Sequence, residues 1–260
     1  MALSVLSLTY LTLLEFNVFF SYSVLGFVFF ASITGYNFVK FFGIARFHHR
    51  SLENWLKVVQ LFSLCCFVLM CYFGWQLRLK TLLCLVGFGG VTFLYAIPFL
   101  PKYLVCNNKY NLRNIGGLKI YLIGLVWSGV TVLIPLIECN YPFNISIIIT
   151  AIQRFVFIIV LMLPFEIRDL RYDNLMLSTI PQQIGVKWTK IIGSILLCLF
   201  FVLEFFKGKQ DFIILGILFF ITMLTLLFLV FSNIKQFKYY CAFWIEGIPI
   251  LWLVLFLLLH

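Results

Sequence analysis

Three carboxylates lie close together near residue 170 of a 260-residue chain that has only nine acidic residues. Glu166, Asp169 and Asp173 are spaced by three and four positions, so on a helix their side chains project from one face. They follow an apolar stretch, where clustered negative charge is costly unless a cation or a basic partner stabilises it. We therefore expect a metal site at this cluster or, as the alternative, an ion-pair network with nearby basic residues, namely Arg168, Arg171, Lys187 or Lys190.

Arg154 is a second residue whose position calls for a chemical explanation, since it stands inside an apolar segment. A charged side chain within a membrane is expensive and is expected to face a cavity or a partner. Arg154 precedes Glu166 by twelve residues, close to three and a third helical turns, so both lie near one helix face. We expect Arg154 to line a central cavity; the alternative is a structural pair with Glu138, Glu204 or a backbone carbonyl.

The composition is that of a membrane protein, because hydrophobic residues make up 63% of the chain and charged residues only 11%. A membrane-spanning helix takes about 20 apolar residues. The apolar runs therefore predict an all-α, polytopic bundle of about nine spans that forms a single domain over residues 1–260. Residues 1–14 are short for a complete span, and the others are expected at 18–42, 53–75, 81–100, 116–138, 145–165, 188–206, 212–232 and 240–259.

The basic residues are distributed unevenly between the two ends of this expected bundle. Fourteen of the 19 lysines and arginines lie at the loops after spans two, four, six and eight, and four lie on the opposite side. The positive-inside rule then places the acidic cluster in the cytoplasm, together with the N-terminus if residues 1–14 cross. We expect the cytoplasmic membrane of a bacterium, with the net charge of +10 facing anionic lipid head groups and no nucleic-acid partner.

The acidic cluster and the residues after it carry a resemblance to a known family. The pattern E-x-x-D-x-x-x-D at 166–173, followed by T-I-P at 179–181 and Gly185, resembles the second aspartate-rich motif of the UbiA superfamily of intramembrane prenyltransferases. Glu166 replaces the first aspartate of that motif. The expected layout is also similar to the family's, with nine helices and motif loops after spans two and six on the cytoplasmic side. The resemblance implies a UbiA-like fold.

Two further stretches are compared with the family. Tyr95 to Pro98, followed by Arg113 and Lys119, is similar to the family's tyrosine, proline and basic loop after span four. The first aspartate-rich motif should close span two, where Asn37 stands in the matching place. The positions of its acidic residues are occupied here by Phe38, Phe41 and Ala45. The sequence therefore keeps one acidic cluster where the family uses two to hold magnesium against a prenyl diphosphate.

The resemblance also implies roles for individual residues. Lys40 and Arg46 lie near the missing acids and could supply positive charge to a diphosphate or a phospholipid head group, the alternative being an ordinary cytoplasmic loop. The expected catalytic residues are Asp169, Asp173 and Lys40. The expected magnesium ligands are Glu166, Asp169 and Asp173, and the expected diphosphate contacts are Arg154, Arg113, Lys119, Asn37 and Arg46.

These features leave two functions open. The missing first motif favours a degenerate, non-catalytic UbiA-like protein that binds membrane lipids or acts as an accessory subunit of a membrane-protein complex. The alternative is an atypical magnesium-dependent prenyltransferase that moves a polyprenyl group from its diphosphate to an acceptor. Divalent cations would there stabilise the charge that develops on the departing diphosphate. A transporter is disfavoured because the spans show no repeated pair of broken helices.

Overall fold

The computed structural model describes residues 1–45, 54–96, 117–171, 179–208, 211–237 and 239–260. Within these ranges the secondary structure consists of helices, which we number α1 to α9 in chain order. Their bounds are α1 Ala2–Glu15, α2 Tyr22–Ala45, α3 Asn54–Trp75, α4 Leu79–Ala96, α5 Leu118–Glu138, α6 Ile145–Asp169, α7 Ile180–Phe206, α8 Phe212–Phe231 and α9 Tyr240–Leu259. The expected all-α bundle is thus confirmed for the described part of the chain.

Six of these helices, α3 and α5 to α9, are long and apolar enough to cross a membrane. The apolar stretches of α1, α2 and α4 are shorter, at 10–17 residues. Long lipid-compatible helices with paired backbone groups are what a bilayer requires of a spanning chain. The chain is therefore an integral membrane protein.

Helix α7 begins at Ile180, ahead of the span start expected near residue 188, and the regular helix that matches the expected span continues after Gly185. The side chain of Gln182 accepts a hydrogen bond from the backbone N–H of Thr179 at 3.0 Å, and Pro181 lies in the first turn. Both features favour a helix start, because proline lacks the N–H that would be unpaired there. Gly185 then interrupts the regular helix with φ +79°, a backbone conformation that favours glycine.

Helix α6 lies at the centre of the bundle and packs against α5 and α7, while α1 packs against α9 and α2 against α3. An aromatic cluster joins α6, α7 and α9. The ring of Phe157 lies 5.0 Å from that of Phe200 and 5.3 Å from that of Trp252, and all three side chains are buried. This cluster fixes the middle of α6 and thereby the directions in which its polar residues point.

Gly193 marks the closest approach of α7 to its neighbours. A Cβ atom at this position would lie 2.5 Å from Leu229 and 2.7 Å from Leu163, and both leucines are buried. We expect Gly193→Ala to lower the free energy of unfolding by about 1–2 kcal/mol, because overpacking forces the neighbours to shift. The matched control is Gly216→Ala, which has open space around the added methyl. Thermal unfolding in detergent micelles measures both, and equal midpoints for the two variants would contradict this packing.

Candidate functional site

The acidic cluster lies where the end of α6 meets the start of α7. Glu166 is buried, with 7% of its surface exposed, and its Oε2 accepts a hydrogen bond from the backbone N–H of Ile180 at 3.2 Å. The first N–H groups of a helix have no partner within the helix and carry partial positive charge. The Glu166 carboxylate thus stabilises the beginning of α7 and ties it to the last turn of α6.

Asp169 is paired within the same helix end. Its Oδ1 accepts a hydrogen bond from Nε of Arg168 at 2.7 Å, and about a third of each side chain is exposed, at 30%. The Arg168 guanidinium also lies 5.3 Å from the ring centroid of Phe165. Asp173, the third expected acid, falls outside the described residues. Of the basic residues expected near the cluster, Arg168 is the one that pairs with Asp169.

The other basic residues considered as partners of the cluster differ in position. Lys190 donates a hydrogen bond from Nζ to the carbonyl of Val230 at 2.7 Å, so its ammonium group binds the end of α8. Lys187 is exposed on α7, and Arg171 is exposed just after the end of α6.

The turn between α8 and α9 reaches the same end of α6. Nε2 of Gln236 donates to the carbonyl of Pro164 at 3.1 Å and contacts Sγ of Cys241 at 2.8 Å. This places the α8–α9 turn, the end of α6 and the start of α7 at one end of the bundle. The expectation that the loops after spans six and eight share a side agrees with these contacts.

The atoms that could bind a magnesium ion at this site are its carboxylate oxygens. Magnesium prefers an octahedral shell of oxygen ligands. Glu166 and Asp169 each accept a hydrogen bond from the protein itself. Among the residues that the structure describes, no group of three metal-ligating side chains comes together. Glu166 and Asp169 are two oxygen-bearing candidate ligands at this end of the bundle, and the third expected ligand, Asp173, lies outside the described residues.

Arg154 lies near the middle of α6, about 18 Å from Glu166 along the helix at 1.5 Å per residue. It is 2% exposed, and its Nη2 lies 3.6 Å from Oε1 of Glu15, the last residue of α1. Its guanidinium carbon lies 4.7 Å from the ring centroid of Trp252. Arg154 therefore connects α6 with α1 and α9 as a buried ion pair and a cation–π contact.

A second ion pair completes this polar cluster. Nζ of Lys207 lies 2.8 Å from Oε2 of Glu204 and 4.0 Å from Oε2 of Glu15. Nε2 of Gln153 donates to Glu204 at 2.9 Å, and thereby links α6 with the end of α7. Together with Arg154, these side chains form two cations and two anions that balance in charge.

The structural partners expected for Arg154 were Glu138, Glu204 or a backbone carbonyl. The carboxylate that forms the ion pair with Arg154 is that of Glu15. Glu138 instead binds the start of α4. Its Oε2 accepts from the backbone N–H of Arg78 at 3.1 Å and from the hydroxyl of Thr81 at 2.6 Å, which caps the start of α4. Neither Glu15 nor Trp252 was expected as a partner of Arg154. Glu15 is one of nine acidic residues and ends an apolar stretch, which could have marked it as the partner of a buried cation.

The remaining expected site residues are only partly placed. Asn37 donates from Nδ2 to the hydroxyl of Ser63 at 2.7 Å, which joins α2 to α3. Lys119 is exposed in the first turn of α5. Lys40 belongs to α2, although its side chain is outside the description. Arg46 and Arg113 lie outside the described residues.

Comparison with known proteins shows which fold this helical bundle has. No protein-family model and no curated protein matches the chain. The structure is similar to the apo structure of a UbiA homologue from Aeropyrum pernix K1, with a TM-score of 0.69 and 12% sequence identity. The match covers 99% of this chain and 97% of the homologue. The chain therefore has the UbiA fold that its second-motif resemblance implied.

Proposed function

We propose that this UbiA-fold protein does not catalyse prenyl transfer, and that it binds membrane lipid or serves as an accessory subunit of a membrane-protein complex. The observation that carries the proposal is the engagement of the acidic cluster by the protein. Glu166 caps α7 through the N–H of Ile180, and Asp169 pairs with Arg168. Glu166 thereby stabilises the junction of α6 and α7, whereas the Asp169 pair lies within the end of α6.

The region of the missing first motif supports the same proposal. Leaving-group departure from a prenyl diphosphate concentrates negative charge, which needs preorganised cations to stabilise it. Phe38, Phe41 and Ala45 offer no carboxylate for a second ion. Asn37 donates one amide N–H to Ser63, a contact between α2 and α3.

An apolar groove supports a lipid-binding role. It has a volume of ≈ 410 Å³ and lies between α1, α2, α3 and α9. Its walls include the aromatic rings of Tyr10, Phe29 and Phe73, together with Leu253. Such a groove can take an acyl or prenyl chain, because apolar walls in a membrane protein accept apolar chains without leaving polar groups unpaired.

The test of catalysis uses the full-length protein purified in detergent or reconstituted in nanodiscs. Radiolabelled geranylgeranyl diphosphate is supplied with magnesium and an aromatic acceptor mixture. We expect neither transfer nor hydrolysis of the label above the rate of empty nanodiscs. Magnesium-dependent release of diphosphate, abolished by Asp169→Asn, would contradict the proposal and assign the residue to catalysis.

A partner is tested separately, by purification of the protein at its native level. An accessory role predicts partners in stoichiometric amounts, with Asp169→Asn harmless to cells. We place the protein in the cytoplasmic membrane of a bacterium, with the acidic end facing the cytoplasm, and the skew of basic residues supports this orientation.

The second candidate is an atypical magnesium-dependent prenyltransferase, favoured by one local observation. The segment from Thr179 to Gly185 folds back on Glu166, and Gly185 keeps φ +79° with open space around it. In this account Asp169, Asp173 and Lys40 act on a prenyl diphosphate. The labelled-diphosphate assay separates the two candidates, since turnover is expected only under the second.

A further inference from the structure

A surface next to the acidic end combines exposed lysines with exposed aromatic rings. The bond from Lys190 to the carbonyl of Val230 brings the first turns of α7 against the end of α8. Six residues that are close to this contact in the sequence, three on α7 and three after α8, make up what we call the lysine–aromatic patch. They are Lys187, Trp188, Lys190, Lys235, Phe237 and Tyr239.

The aromatic members of the patch expose more than half of their surface. Phe237 is 88% exposed, Tyr239 68% and Trp188 60%. Tryptophan and tyrosine are enriched at the head-group level of membranes, where an apolar ring and a polar tip are both accommodated. A phenylalanine this exposed on a turn between two spanning helices is stabilised when it inserts into the edge of the bilayer.

The charges of the patch have one sign. Neither Ile180–Val202 nor residues 212–239 contains an acidic residue. The two described acids at the neighbouring end of α6 are engaged, Glu166 by the N–H of Ile180 and Asp169 by Arg168. Lys187 and Lys235 are exposed, so their ammonium groups are free to meet a phosphate.

We propose that the lysine–aromatic patch binds the head group of an anionic phospholipid, with Lys187 and Lys235 contacting the phosphate and the aromatic rings anchored at the bilayer edge. Lys190 holds the two halves of the patch together through its bond to α8. Basic clusters beside spanning helices attract anionic lipids, with a further favourable contribution from each lysine. This site is independent of the acidic cluster and of any prenyl substrate.

Native mass spectrometry of the delipidated full-length protein tests the proposal, with phosphatidylglycerol and phosphatidylcholine as probes. We expect tighter binding of phosphatidylglycerol. The variant Lys187→Gln/Lys235→Gln should lose about fivefold in affinity for each lysine removed, while keeping the Lys190 bond. The matched control, Lys57→Gln/Lys80→Gln, removes two exposed lysines elsewhere and should stay within about twofold of the wild type.

A measurement on the wild type alone guards against misfolded variants. Binding of phosphatidylglycerol measured in nanodiscs by exchange of a fluorescent analogue should weaken as salt rises, because the contact is between exposed charges. Equal affinity for the two lipids, or equal losses in the two double variants, would overturn the proposal. Salt-independent binding would overturn it as well.

Discussion

Arg154→Met is expected to lower the free energy of unfolding by about 3–5 kcal/mol, the cost of breaking a buried ion pair from one side. The substitution leaves the largely buried carboxylate of Glu15 with Lys207 Nζ at 4.0 Å as its cation among the described residues. It also removes the cation–π contact with Trp252. Unfolding in mixed micelles is followed by tryptophan fluorescence, since Trp252 lies against the guanidinium.

A double variant separates charge from packing in this prediction. Glu15→Gln/Arg154→Met should recover part of the loss, because it removes the uncompensated carboxylate. Lys80→Met, at an exposed cation, should change stability by about 0.5 kcal/mol or less. If Arg154→Met unfolds with the wild-type midpoint, Arg154 does not carry the contact between α1 and α6.

Glu166→Leu is expected to destabilise the protein by about 2–3 kcal/mol, because it removes a charged acceptor from the start of α7. The N–H of Ile180 would then be left unpaired in a place where the carboxylate itself is 7% exposed. Urea or thermal unfolding of the reconstituted protein measures the loss.

The control for this prediction is Glu166→Gln, whose amide oxygen can still accept from Ile180. We expect it to retain most of the stability, within about 1 kcal/mol of the wild type. A metal-binding role predicts a different pattern, in which the amide and the leucine variants both lose metal-dependent stabilisation. Magnesium-dependent stabilisation of the wild type that disappears in Glu166→Gln would contradict the capping role.

The architecture was predictable because its signals are local. Apolar runs long enough to span a bilayer, separated by polar turns, specify helices whatever their neighbours are. The motif at residues 166–185 then pointed to the UbiA fold. The start of α7 was missed even though its signals, Gln182 three residues after Thr179 and Pro181 in the first turn, stand in the sequence. The non-helical backbone at Gly185 separates these first residues from the long apolar helix that follows.

The contacts of the polar residues were less predictable, because they join segments that are distant in the chain. Helical spacing puts Arg154 about 18 Å along α6 from Glu166 and about a third of a turn around it. It says nothing about a partner on another helix. The pairing of Arg154 with Glu15 depends on how α1 packs in the bundle. Likewise, the bond from Gln236 to Pro164 follows from the position of the α8–α9 turn.

An experimental structure of the protein with magnesium and a non-hydrolysable prenyl diphosphate analogue tests the central claim most directly. The account predicts that Glu166 stays bonded to the N–H of Ile180 and Asp169 to Arg168, with no metal density between the two carboxylates. Density for a magnesium ion bridging Asp169 and the analogue, with Arg168 displaced, would contradict it.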